Sequence, residues 1–250
     1  MSGHSKWSSI KHKKGVADAR RGKLFSKLSR ALIVAAREGG ADPAANLALQ
    51  NAIEKARSYS MPKDNIERAI ARGSGADTDA QAFETVIYEG YGPGGVAVMV
   101  EALTDNRNRT AADVRHLFAK SDASLGEAGA VAWLFERRGI LLVDASIDED
   151  ELTLAAAEGG ADDVSLDGSS YQVVAPPESL PAVREAIEQA GIDVQSAELT
   201  MIPKTSIELE DEAAAKKVLR LIDSLEDNDD VQDVYANFDI PERVLEAVAG

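Results

Sequence analysis

In the stretch FETVIYEGYGPGGVAVMVEAL, residues 83–103, the periodicity of the chain changes. Before it, apolar residues recur at three- and four-residue spacing. Within it they form two runs, Phe83–Tyr91 and Val96–Leu103, with the Val, Ile and aromatic content of strands. Gly92-Pro93-Gly94-Gly95 between them is a turn sequence, so the pair reads as a hairpin. These glycines do not read as a phosphate loop. They lack a following Gly-Lys-Ser/Thr and dinucleotide spacing, and they join strand to strand rather than strand to helix.

Downstream, Ala111–Ala119 is helical, with Val114, Leu117 and Phe118 on one side. Much later come a strand (Thr205–Leu209), a helix (Ala213–Leu225, with Val218, Leu221, Ile222 and Leu225) and a strand (Val231–Phe238). Neither set has enough strands for a stable sheet alone, so pairing them as ββα plus βαβ is expected. A second α/β set lies between. Val131–Phe135 and Ile140–Val143 read as strands around Arg137-Arg138-Gly139. Asp148–Glu158 reads as a helix with acids where its dipole favours them. Val164–Leu166 and Tyr171–Ala175 form a hairpin across Asp167-Gly168, followed by a helix (Leu180–Ala190) and a closing strand (Val194–Met201).

Upstream, Val16–Glu38 reads as a helix. Phe25, Leu28, Leu32, Ala35 and Ala36 fall in one sector, and Arg20, Lys23, Lys27, Arg30 and Arg37 in another. Gly39-Gly40 is the stop, and Asp42-Pro43 is read as N-cap and first position of a second helix bearing Leu49, Ala52, Ile53 and Ala56. A third helix is expected from about Pro62, burying Ile66 and Ile70 and ending at Gly73, before a polar linker, GSGADTDAQ at 73–81.

The expected fold class is therefore α+β and multidomain: an N-terminal basic arm and three-helix domain (1–79), then two small α/β sandwich domains of the ferredoxin-like, split βαβ kind. The first of these is discontinuous (80–127 plus 203–250), and the second, acidic domain (128–202) is inserted in it. Contiguous packing is the alternative, because periodicity alone does not distinguish the two.

Charge divides the chain unevenly. The 250 residues carry a formal charge of −16, yet residues 1–73 hold 15 basic and 6 acidic side chains, net +9, and the rest is net −25. Gly3–Arg37 contains ten of the 27 basic residues and one acid, Asp18. This is the pattern of a nucleic-acid-facing end on an acidic body, since charge distribution governs binding more than its sum. The expected contacts are Lys6, Trp7, Lys11, His12, Lys13 and Lys14 in the arm and Arg20, Arg21, Lys23, Lys27 and Arg30 on the helix, with Arg107 and Arg109 beyond the hairpin. A line of Lys and Arg suits phosphates, and Trp7 can stack on an exposed base or simply pack on the helices. In Thr104-Asp105-Asn106-Arg107-Asn108-Arg109-Thr110 the N-cap of the next helix is expected at Asn108 or Thr110. The two arginines there either meet an anion at that helix N-terminus or pair with nearby acids.

Little points to catalysis. The chain has no cysteine, which excludes disulfides, thiolate nucleophiles and cysteine-ligated metals. His4, His12 and His116 have neither zinc-helix spacing nor a nucleophile signature. Acid runs such as Asp148–Glu151 read as helix starts and solvated faces. No catalytic residue, metal, cofactor or small-molecule substrate is therefore expected. No run approaches the roughly 18 apolar residues of a membrane span, and no apolar stretch follows the basic start as in a secretory signal. A transit peptide is the weaker alternative to cytoplasmic localisation.

GHSKW (3–7), IKHKK (10–14), RGKLFSKL (21–28), MPKDNIERAI (61–70), YEGYGPGG (88–95) and TDNRNRTAADVRH (104–116) together resemble the YebC/PmpR family along essentially the whole chain. The resemblance implies three domains, one helical and two α/β, in a cytoplasmic bacterial protein or an organellar relative. It brings no catalytic residues. Members are described as probable DNA-binding transcriptional regulators. Others, including the mitochondrial translational activator of cytochrome c oxidase subunit I, act on translation at the ribosome, and some help it through proline-rich stretches.

The expected function is a non-enzymatic nucleic-acid-binding regulator of gene expression, by resemblance a DNA-binding transcriptional regulator. The alternative is a ribosome-associated, rRNA-binding translation factor whose acidic domains meet the ribosome. No element places Asn, Gln or Arg as a recognition helix would, and the acidic body opposes a long duplex; both features lean towards RNA. A hydrolase or transferase in the α/β part is a third reading, which no sequence feature supports.

Overall fold

The computed structural model describes residues 18–76, 83–241, 243 and 244. The chain forms two compact units: Phe135–Ile202, and the segments before and after it together. It is a multidomain α+β protein, with a three-helix domain followed by two small α/β sandwiches, one inserted in the other.

Helices α1 (Asp18–Gly39), α2 (Leu47–Ser58) and α3 (Lys63–Ala71) bury Leu28, Leu32, Ile33, Leu49, Ile53, Met61 and Ile66 in one core. The α1–α2 connection differs from the sequence expectation. Asp42 only caps a turn, accepting from the Ala44 amide (3.0 Å), and α2 begins five residues later under Asn46. Asn46 is buried, and its Oδ1 accepts from Leu49 N (3.1 Å) while its Nδ2 donates to Ala35 O (2.7 Å) and Gly40 O (2.8 Å). One amide thus satisfies the end of α1 and the start of α2. A Cβ on Gly39 would lie 2.5 Å from that amide, so Gly39 is needed for close approach rather than for its dihedrals.

In the middle domain β1 (Glu84–Tyr91) and β2 (Ala97–Thr104) form an antiparallel hairpin in register Glu84↔Thr104 to Tyr91↔Ala97. Gly94 (φ 73°) and Gly95 (φ 78°) supply the left-handed positions of its turn. Then come α4 (Arg107–Lys120), the short β3 (Ser124–Leu125) and, after the inserted unit, α7 (Glu212–Glu226) and β9 (Val231–Ala236); the sheet order is β3-β1-β2-β9. Val98, Val100, Ala102, Val234 and Ala236 turn one face of the sheet onto Val114 and Phe118 of α4 and Val218, Leu221, Ile222 and Leu225 of α7. The expected strand at 205–209 is not part of this sheet. Only β8 (Ile207–Glu208) forms, and it pairs in parallel with β10 (Phe238–Asp239) as a separate ribbon.

The inserted unit contains β4 (Phe135–Asp144), α5 (Glu149–Glu158), β5 (Asp163–Asp167), β6 (Ser170–Ala175), α6 (Leu180–Gln189) and β7 (Val194–Pro203). Its sheet order, β5-β6-β4-β7, is that of a split βαβ. Here too the expectation of two strands around Arg137-Arg138-Gly139 is corrected: residues Ala132–Leu134 of the first form a 3-10 turn, and β4 starts at Phe135 and runs straight through the Arg-Arg-Gly stretch. Arg138 is held by Asp162 (2.7 Å) and Glu136 (3.2 Å), and a Cβ on Gly139 would meet Leu180 at 2.9 Å. The unit begins at Phe135, against an expected 128, and residues 126–132 are held instead by Glu89 of β1.

Candidate nucleic-acid interface

The arm residues Lys6, Trp7, Lys11, His12, Lys13 and Lys14 lie outside the described residues. Arg20 and Arg21 lie in the first turn of α1, and their side chains are outside the description. Lys23, Lys27 and Arg30 follow at four- and three-residue spacing, which puts them on one face of α1.

Lys23 stays exposed, but from Lys27 on that face is withdrawn from open solvent. It rests on the C-terminus of α7 and the turn leading into β9. Lys23 Nζ donates to Asp227 O (3.3 Å) and lies 4.0 Å from Asp229 Oδ1. Lys27 Nζ donates to Glu226 O. Arg30 Nη1 donates to Asp229 O (2.9 Å) and Asp230 Oδ1 (3.0 Å), and its guanidinium lies 5.5 Å from the centre of the Phe83 ring. On α2, Lys55 adds a pair with Asp233 of β9 (2.6 Å). The end of a helix concentrates unpaired carbonyls and the negative pole of its dipole, and here acidic side chains adjoin it, so cations are favoured there. Lys27 is 9% exposed. Burial lowers its ammonium to about pKa 8, against the opposing pull of Glu226, Asp229, Asp233 and Asp227.

Arg109 is similarly engaged. Its Nη2 donates to Asp105 Oδ1 (2.8 Å) and Asp230 Oδ2 (2.7 Å). Asp230 Oδ2 also accepts from the Thr110 hydroxyl (2.8 Å), and the residue is 5% exposed. Burial alone would raise the Asp230 carboxyl. The hydrogen bonds from Arg109 and Thr110 and the charges of Arg109 and Arg30 outweigh it and hold the group below the usual range. The cap of α4 is Asn106, whose Oδ1 accepts from Arg109 N (3.1 Å), rather than Asn108 or Thr110; Thr110 is one turn inside and buried. Arg107 is well exposed, with only a long contact to Glu84 (3.9 Å). Arg30, Phe83, Asp105, Arg109, Asp113 and Asn228–Asp230 line a cleft of about 350 Å³. Four carboxylates line it, so protein groups already fill the anion's role.

The structure therefore brings Lys23, Lys27, Arg30 and Arg109 together around the 226–230 turn and leaves Arg107 apart. Sequence reasoning missed Asp230 and Glu89. Asp230 sits in an acidic run, Glu226-Asp227-Asn228-Asp229-Asp230, that reads as solvated; only its long-range cations reveal it. Glu89 is buried, with Oε1 accepting from Gly129 N and Oε2 from Val131 N and Ala132 N, each at 2.7 Å. Its signal was an acid in mid-strand, between Tyr88 and Gly90, where the flanking residues are buried. Among the described residues no group of three or more His, Asp or Glu is placed to hold a metal, and no helix is long and apolar enough to cross a membrane.

Comparison with known proteins gives concordant matches. A family model described as the TACO1/YebC protein N-terminal domain matches residues 5–76, and one described as the TACO1/YebC second and third domain matches residues 83–238. A "Probable transcriptional regulatory protein" of Rubrobacter xylanophilus is 58% identical over 100% of both chains, and one of Desulfotalea psychrophila is 54% identical, also over 100% of both. The crystal structure of a conserved hypothetical protein from Aquifex aeolicus superposes with a TM-score of 0.80 at 50% identity, covering 90% of this chain and 93% of that one.

Proposed function

The chain belongs to the TACO1/YebC family, and from that premise we propose that it is a non-enzymatic, cytoplasmic nucleic-acid-binding regulator of gene expression, acting as a DNA-binding transcriptional regulator. The observation that carries this reading is the charge division: net +9 over residues 1–73 on a chain of −16. The names of the relatives agree with it. The arm cations Lys6, Lys11, Lys13 and Lys14, with His12, Arg20 and Arg21, supply the first phosphate contacts, and Trp7 stacks on an exposed base. Lys23, Lys27 and Arg30 extend that line. Arg107, exposed at the start of α4, is an accessory contact, whereas Arg109 serves structure.

A second reading, a ribosome-associated translation factor that binds rRNA, is favoured by the −25 remainder, which a long duplex repels. Binding to promoter-length DNA and co-sedimentation with ribosomes, each across a salt series, separate the two. Neutralising about five phosphates gives a slope of log K on log salt of about −4.5 on duplex and a shallower one on single strands. A flat response on both would remove the basis of the proposal.

A further inference from the structure

Resting on that reading, we propose that the 226–230 turn is an internal competitor for the cationic face of α1, so that nucleic acid and the turn occupy Lys23, Lys27 and Arg30 in alternation. The chain then exists in a docked form, the one described, and an undocked form in which the helical domain has left the sheet domain to take up phosphates.

Three observations carry this. The acceptors on α1's cations are the carbonyls of Glu226, Asp227 and Asp229 and the carboxylates of Asp229 and Asp230; helix-end carbonyl dipoles and two carboxylates together make a patch of negative potential that competes for the same cations as phosphates do. The hydrogen bonds and ion pairs between the two domains are of this kind, with Lys55–Asp233 as the outlying member, and the Arg30 guanidinium over the Phe83 ring adds to them. The cores on either side are separate: no buried side chain of the helical cluster belongs to the cluster beneath the sheet. Opening this junction divides neither core cluster, and polyanions and salt weaken its ion pairs through the same charges. A docked form that hides part of the cationic line lowers apparent affinity by the fraction of molecules that remain docked.

Zero-length carbodiimide cross-linking of the full chain tests this, because Lys55 and Asp233 are in contact at 2.6 Å and neither belongs to the proposed phosphate line. The Lys55–Asp233 cross-linked peptide is quantified by mass spectrometry with and without a saturating single-stranded or duplex oligonucleotide, whose binding is followed in parallel by anisotropy. The proposal expects the cross-link to fall about fivefold or more on binding. Bound oligonucleotide with an undiminished cross-link overturns the proposal and leaves the nucleic-acid reading standing. No binding of either oligonucleotide, or of ribosomes, overturns both. As a second arm, Asp227→Asn with Asp229→Asn weakens the competitor and should tighten binding by roughly three- to tenfold. Glu149→Gln with Asp150→Asn on α5 removes the same charge elsewhere; an equal gain from that control would count against the turn and overturn the proposal.

Discussion

Arg30 and Asp230 are 200 residues apart in sequence and 3.0 Å apart in space. The carboxylate that receives Arg30 on one oxygen receives Arg109 and Thr110 on the other, so a single buried acid ties α1, α4 and the entrance to β9 together.

Replacing that acid should therefore cost stability as well as geometry. Asp230→Ala removes the carboxylate that Arg30 and Arg109 share, and it takes one of the acceptors of the buried Thr110 hydroxyl, which keeps Thr104 Oγ1 (2.7 Å) and Asn106 O (3.2 Å); a loss of about 3 kcal/mol in urea unfolding is expected. Asp230→Asn keeps the shape and should lose less. Because the folded carboxyl lies below its ordinary value, its contribution is complete above about pH 3.8 and fades as pH falls through the folded value. Wild type and Asp230→Asn should therefore converge in stability in acid.

Lys27 has the same sign of pH dependence, at high pH and through relief of a cost rather than gain of a bond. Its folded value of about 8 lies below the unfolded 10.5, so between these limits the unfolded chain binds more protons and stability rises with pH. Relative to Lys27→Met, the wild type should gain on the order of 3 kcal/mol from pH 8 to 10.5. Side-chain NMR that finds the Lys27 ammonium titrating with the exposed lysines would contradict this.

Glu89 anchors a loop rather than a ligand. Glu89→Ala strands three backbone amides, and a loss of roughly 2–4 kcal/mol is expected, with hydrogen exchange at Gly129, Val131 and Ala132 accelerating first. Burial pushes the Glu89 carboxyl up, but those amides more than offset it and hold it below its usual value. Its stabilisation is likewise present above the unfolded value of 4.5 and fades in acid as pH falls through the folded one.

The arm and the helix it precedes should separate cleanly by mutation. Lys11→Glu, Lys13→Glu and Lys14→Glu together should weaken oligonucleotide binding and make the salt slope shallower by about 2 to 3, with an unchanged melting temperature. Leu28→Ala, at a buried core position, should instead cost about 2–4 kcal/mol of stability first.

What was legible in the sequence was local. The 83–103 hairpin, the face of α7 carrying Val218, Leu221, Ile222 and Leu225, and the acids opening α5 follow from period and capping chemistry that a short window contains. The errors came where a distant partner decides. Asn46 won the cap from Asp42 because it could also reach Ala35 and Gly40. Arg137-Arg138-Gly139 looked like a break because Asp162, which pairs with Arg138, and Leu180, which abuts Gly139, lie elsewhere in the chain. Lys23, Lys27 and Arg30 do share one face of α1, but no periodicity reveals that its neighbour is the end of α7.

The inserted unit also bears on how the chain finds its form. Its strand β4 starts where β7 ends, the two are neighbours in one sheet, and just outside them Lys204 N donates to Leu134 O at 2.8 Å. The β2–β9 ladder must join Val98–Ala102 to Val231–Ala236, a very long loop to close. If 135–202 collapses first, its two ends meet and that loop is roughly halved, which returns about 0.6 kcal/mol of closure entropy to the transition state. The interruption in the middle sheet is then a shortcut in its assembly, and hydrogen-exchange pulse labelling during refolding should find the β4–β6 amides protected before those of β9.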